Sequence, residues 1–207
     1  EHAPKINNEL INRQNISAQV KKARGTIIDT ILSEGDFAKY ENGTSQEATI
    51  FRATLLHTGI IENSNLDDGC KRIIKEIRKF IEKCGGKKVS FEVLYSKLMG
   101  KNLGTRKGII PIFIAREIIN LHDTPIIYLE DTEVEITSEI LNNINEKAEN
   151  YYLYVEKESI QKEKYLFTLE KEFLTEELKK TQQSKTKRLS NIVKGIQRWY
   201  RALDQHS

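Results

Sequence analysis

The chain is short of cysteine and methionine, carries a single tryptophan, and has no apolar run approaching the ~18 residues a bilayer-spanning helix requires. Its start lacks the pattern of a secretion signal. The two cysteines, Cys70 and Cys84, fall on one predicted helix. About 21 Å of unbroken helix would separate them, which excludes a disulfide between them. His2, His57, His122 and His206 are scattered, with no cysteine or carboxylate at ligand spacing. Reduced thiols, a cytoplasmic location, no metal and no cofactor are therefore expected. The chain begins at Glu1 and its one methionine is Met99, which suggests a piece of a longer protein.

Signatures of catalysis are missing as well. No serine lies in a nucleophile-elbow context. Carboxylates alternate with lysines in runs such as EKESIQKEKY, the pattern of solvated helix faces. His57 stands alone at a predicted helix end, where a capping role is expected. No constellation suggests an active site, so the chain is not expected to be an enzyme by itself; a small hydrolase site assembled only by folding is a third reading.

What is present is charge, 30% of residues, with a net value of +3 that hides an uneven distribution. Lys179, Lys180, Lys185, Lys187, Arg188, Lys194, Arg198 and Arg201 follow one another with no acid between Lys179 and Arg201. From Glu117 to Glu146 there are acids but neither lysine nor arginine. Such asymmetry bears on partners more than the sum does.

Apolar periodicity predicts helices over 16–33, from a Thr44–Glu47 capping box to Gly59, and from Leu66 to Cys84, where Gly85-Gly86 ends it. Ser90 is a predicted cap for FEVLYSKLM, and Thr105 for a helix reaching Leu121. Pro111 lies two turns inside that helix, which predicts a bend or a delayed start. PIIYLE and EVEIT, around Asp131-Thr132, read as a hairpin. A helix opening at Ser138, a strand at YYLYVEK and two polar helices, 159–182 and 185–203, complete the chain.

Three helices followed by a hairpin is the order of a winged helix, here at 66–136, with the strand at 151–155 joining the wing; a bare structural core has the same pattern. The expected fold is α+β and mainly helical. A winged-helix-like core with a β-hairpin is flanked by N-terminal and C-terminal helices. The expected segments are 1–62, N-terminal helical; 63–157, winged-helix-like; and 158–207, a C-terminal helical pair.

The stretch LGTRKGIIP at 103–111 places two glycines and a lysine ahead of a helix. It does not satisfy a P-loop: Lys107 precedes Gly108, Ile109 stands where lysine is needed, and a helix rather than a strand leads into it. A tight turn is the simpler reading, with Gly104 supplying positive φ and Gly108 a close backbone approach. As a DNA reader the helix would offer Arg106 and Lys107 at its start. The apolar IIPIFIA that follows implies burial, and Glu130, Asp131, Glu133 and Glu135 make the wing acidic, which opposes contact with phosphates. In the last helix Lys187, Arg188, Lys194, Arg198 and Arg201 accompany Trp199 and Tyr200, a mixture suited to nucleic acid and equally to a solvated basic face. Ile192, Ile196, Trp199 and Leu203 form its expected packed stripe.

The run Leu103-Gly104-Thr105-Arg106-Lys107-Gly108-Ile109-Ile110-Pro111 resembles the glycine-x-arginine-lysine-glycine-x-x-proline segment of very large bacterial anti-phage ATPases of the BREX type. The strand pair, YYLYVEK and the closing WYRALDQ are similar to elements that follow it there. The resemblance spans about residues 45–203 and implies a winged-helix-like accessory region outside the nucleotide-binding core. It implies no catalytic residue in this chain. The expected function is thus a non-catalytic interaction region of a larger prokaryotic protein, in contact with other domains, partner proteins or a second copy. The alternative is a sequence-tolerant nucleic-acid-binding module using Arg106, Lys107 and the basic C-terminal helix.

Overall fold

Ile73, Ile74, Ile77, Phe80 and Ile81 recur at the three- and four-residue spacing of one helix face. In the computed structural model they form the buried side of a helix over Asp68–Lys83. Asp67 caps it, its carboxylate accepting from the Cys70 amide at 3.0 Å, which satisfies a donor the helix cannot. Gly86 follows at φ +77°, a conformation that favours glycine and ends the element. The structure describes residues 4–61, 65–157, 160–174 and 185–203.

In chain order the helices are α1 (Ala18–Leu32), α2 (Ala38–Glu41), α3 (Gln46–Phe51), α4 (Asp68–Lys83), α5 (Phe91–Met99), α6 (Ile110–Ile119), α7 (Ser138–Glu146), α8 (Ile160–Phe173) and α9 (Lys185–Leu203). The strands are β1 (Val89–Ser90), β2 (Thr124–Leu129), β3 (Thr132–Val134) and β4 (Tyr151–Glu156). α3 runs on into a wider π turn, Arg52–Leu56, and a 3-10 turn, Lys107–Ile109, leads into α6. The protein is α+β and mainly helical. Three helices, α4, α5 and α6, precede the hairpin β2–β3, as the spacing predicts.

The sheet order is β1-β4-β2-β3, so β4 enters between β1 and the hairpin. Val89 pairs with Leu153, and Leu129 with Thr132, both antiparallel. The latter register makes Glu130 and Asp131 the hairpin turn, one residue earlier than the sequence suggests. Glu130 adopts φ +54° there, as the first position of a two-residue hairpin loop can require.

The helix expected from Ser138 does open there, while neighbouring hydroxyls supply the caps of α3 and α7. Ser45, not Thr44, caps α3, its Oγ accepting from the Ala48 amide at 3.2 Å. Thr137 caps α7 through the Ile140 amide. Thr105 is buried and caps nothing; α6 starts late, with Pro111 in its first turn, where the missing amide costs no hydrogen bond. The linker at 35–43 contains α2, whose Tyr40 packs on Phe51.

Residues 4–121 and 125–156 make one compact unit. α1 packs against α3, α6 and α7, and Ile27, Ile50, Ile77 and Phe113 belong to one continuous core. What the sequence divides at 62/63, the packing joins. The other unit takes 122–124 and the chain from 157 onward. There Leu166, Leu174 and Ile192 are buried, with Leu169 and Ile196 packed on them. The recorded part of the first polar helix ends at Phe173; its predicted continuation falls outside the described residues.

Candidate functional site

The glycine turn is built from hydrogen bonds that use its own amides. Gly104 N–H donates to the Gly100 carbonyl at 2.8 Å and Thr105 N–H to the Leu98 carbonyl at 2.9 Å, tying the turn to the end of α5. Lys107 N–H donates to Gln14 Oε1 at 3.1 Å, and Gly108 N–H to the Arg13 carbonyl at 2.8 Å. A phosphate cradle needs such amides pointing at its ligand; here they are committed to the chain. Gly104 sits at φ +58° in open space, whereas a Cβ on Gly108 would lie 2.1 Å from the Ile11 carbonyl oxygen. One glycine serves conformation and the other close approach, as the turn reading requires.

Beneath the turn lies a side chain that sequence reasoning passed over. Arg24 of α1 is fully buried; its Nη1 donates to the Gly108 carbonyl at 2.8 Å and its Nε to Asn142 Oδ1 at 2.9 Å. Burial lowers its pKa to about 10, opposed by Tyr95 and Glu146. Tyr95 in turn donates to Asn145 Oδ1 at 3.1 Å, and burial pushes its phenol up. Arg24 lies four residues from both Val20 and Ile28, inside the apolar stripe of α1. That position was the available signal.

Arg106 is exposed and Lys107 half-buried on this turn. Beyond them α6 is buried from Ile110 to Ala115 and again at Glu117 and Ile118, so it has no face to lay in a groove. Arg116, a base farther along this helix, is half-buried. Its Nη1 meets Glu117 at 3.4 Å, and Arg78 Nε donates to the same carboxylate at 2.6 Å. On the wing Glu130, Asp131, Glu133 and Glu135 are exposed, and Lys88 reaches Asp131 at 3.5 Å from above the Tyr128 ring.

On α9, in the other unit, Lys194, Arg198 and Arg201 are exposed together. Lys187 and Arg188 lie on its first turn with side chains outside those described. Ile192 is buried and Ile196 packed, as their spacing predicts. Trp199 departs from the expected packed stripe: it is 52% exposed and touches Phe173 edge-on, with ring centroids 5.6 Å apart. Tyr200 beside it is 61% exposed.

Cys70 and Cys84 are buried free thiols, both pushed up by desolvation, Cys84 to about 12. Among the described residues no helix is long and apolar enough to cross a membrane, and no three His, Cys, Asp or Glu side chains gather as a metal site. No family model matches the chain, and neither curated proteins nor solved structures show a significant match to it.

Proposed function

We propose that this chain is a non-catalytic interaction region of a larger prokaryotic protein, in keeping with the resemblance of its glycine turn to the accessory regions of defence ATPases. The observation that carries the reading is the aromatic surface of the C-terminal helices. Tyr165, Phe167, Trp199 and Tyr200 are each more than half exposed. Aromatics with an arginine beside them, here Arg198 and Arg201, are the residue types that dominate protein interfaces. The turn supports the same reading, because its amides are occupied internally and leave it structural.

A second copy of the chain is the first partner to test. Light scattering across a concentration series should show association that W199A/Y200A abolishes, with the indole emission of the native chain shifting to shorter wavelength as it associates. A monomer at every concentration, with Trp199 emitting as a buried indole, would remove the reading.

A second reading, nucleic-acid contact, is favoured by the three cations Lys194, Arg198 and Arg201 standing exposed beside Tyr200. Arg106, exposed, and Lys107, half-buried, are separate candidates on the first unit. Charge reversal at the three α9 positions should flatten the salt dependence of DNA binding in a mobility-shift series. Unchanged binding rejects α9 as the site.

A further inference from the structure

The outward side of α4 is basic. Arg72, Lys75 and Lys79 follow at spacings of three and four, so they rise along one side of the helix for about 10 Å. Lys97 of α5 and Lys101 of the turn after it face them across a depression of about 540 Å³. Glu76 stands between the two walls and fixes two of the lysines, at 2.8 Å from Lys79 Nζ and 2.6 Å from Lys97 Nζ. Those pairs set the shape of the groove. Arg72, Lys75 and Lys101 are exposed and make no ion pair among the described residues.

Three cations outside any ion pair among the described residues, around one anchored carboxylate, form a surface for a ligand with several negative charges. Leu103, the aliphatic side chain in the lining, is itself buried. The lining therefore has no exposed aromatic or aliphatic pocket to anchor a peptide. It also has no aromatic platform on which the bases of a single strand would stack. What fits is a regularly charged backbone. Arg72 and Lys75 on one wall and Lys101 on the other offer one cation to each of about three phosphates.

We propose that the groove between α4 and the end of α5 is a docking site for the phosphodiester backbone of duplex nucleic acid, independent of base sequence. The site is distinct from α6, which is buried, from the acidic wing, and from α9. It goes beyond the interaction surface proposed above and stands or falls separately from it.

The test is fluorescence anisotropy of the full chain with a labelled duplex of about 20 base pairs, titrated between about 50 and about 200 mM salt. The variants are R72E/K75E/K101E, the milder R72Q/K75Q/K101Q, and K194E/R198E/R201E on α9, each checked by circular dichroism. The groove substitutions should weaken binding roughly tenfold or more, and the glutamine set should lower the slope of log affinity against log salt by about 2 to 3. The α9 substitutions should leave the groove's contribution in place. The proposal is overturned if the native chain does not bind the duplex, or if folded groove variants bind with unchanged affinity and slope. It is also overturned if a polyglutamate peptide of matched charge displaces the duplex at equal concentration, which would make the groove an acidic-peptide site.

Discussion

Arg24 and Gly108 are 84 residues apart in the chain, yet the guanidinium of one donates to the carbonyl of the other at 2.8 Å inside the core. The bond joins α1 to the turn ahead of α6, and the same side chain joins α1 to α7 through Asn142. Arg24→Ala would leave both acceptors buried without this donor and open a cavity. A loss of about 3 kcal/mol in urea unfolding is expected. Arg24→Met, which keeps most of the volume, should lose less. If Arg24→Ala costs under about 1 kcal/mol, the bonds across the core contribute little to stability.

The two glycines of the turn should respond differently to one added methyl. Gly108→Ala drives a Cβ to 2.1 Å from a backbone oxygen, which no rotamer change can relieve. Residues 11–16 must move, and a cost of about 2 kcal/mol or more follows. Gly104→Ala meets no atom within 4 Å and bears only the strain of φ +58°, about 1 kcal/mol. Equal losses, or the reverse order, in thermal unfolding of the two variants would contradict this division of roles.

Local features of the fold were legible in the sequence, and packing between distant segments was not. The isoleucines of α4, the Ser90 cap and the late start imposed by Pro111 follow from spacing and local chemistry, which act over a few residues. The turn reading of 103–108 was legible for the same reason: glycine position and the misplaced lysine decide it. That Ile11, Arg13 and Gln14 would close over that turn is a contact across more than 90 residues, and no local pattern encodes it. Arg24 was an intermediate case, since its place in an apolar stripe was visible but its partners were not. Trp199 shows the limit of periodicity. Its spacing from Ile192 and Ile196 places it near the packed face, but the described core of its unit is small and half of its surface remains exposed. The cations of α4 were likewise legible as a row, whereas Lys97 and Lys101 join them only through the packing of α5.

Stability should fall in alkali from about pH 9 upward. Cys84 is raised from 9.0 to about 12 by burial, and Cys70 and Tyr95 are raised by the same cause. Each stays protonated in the folded chain at a pH where the unfolded chain has released its proton. The unfolded state is thereby favoured, by up to about 1.4 kcal/mol per pH unit for each group. Arg24 acts in the opposite sense above about 10, where the folded chain gives up its proton first. Three groups against one leave a net fall. Cys84→Ala should make the decline between about pH 9 and 11 shallower by up to about 1.4 kcal/mol per unit. An unchanged slope in urea titrations at those pH values would mean that the thiol ionises alike in both states.

The crossing of α8 and α9 depends on Gly195. Its missing side chain lets the Phe173 carbonyl oxygen approach so closely that a Cβ would lie 2.3 Å from it. The same approach sets the Phe173 ring edge-on to Trp199. Gly195→Ala is a better helix former by about 1 kcal/mol, so helix propensity alone predicts stabilisation. The clash acts in the other direction: the backbones must separate, the aromatic contact loosens and the small core around Ile192 opens. We expect the clash to win, because a backbone oxygen cannot rotate away as a side chain does. Trp199 emission should move to longer wavelength and acrylamide quenching should rise, with helix content little changed. Association through Trp199 and Tyr200 would weaken in the same variant, since their placement follows the crossing. A variant with native Trp199 emission and higher thermal stability would show that the two helices do not rely on this contact.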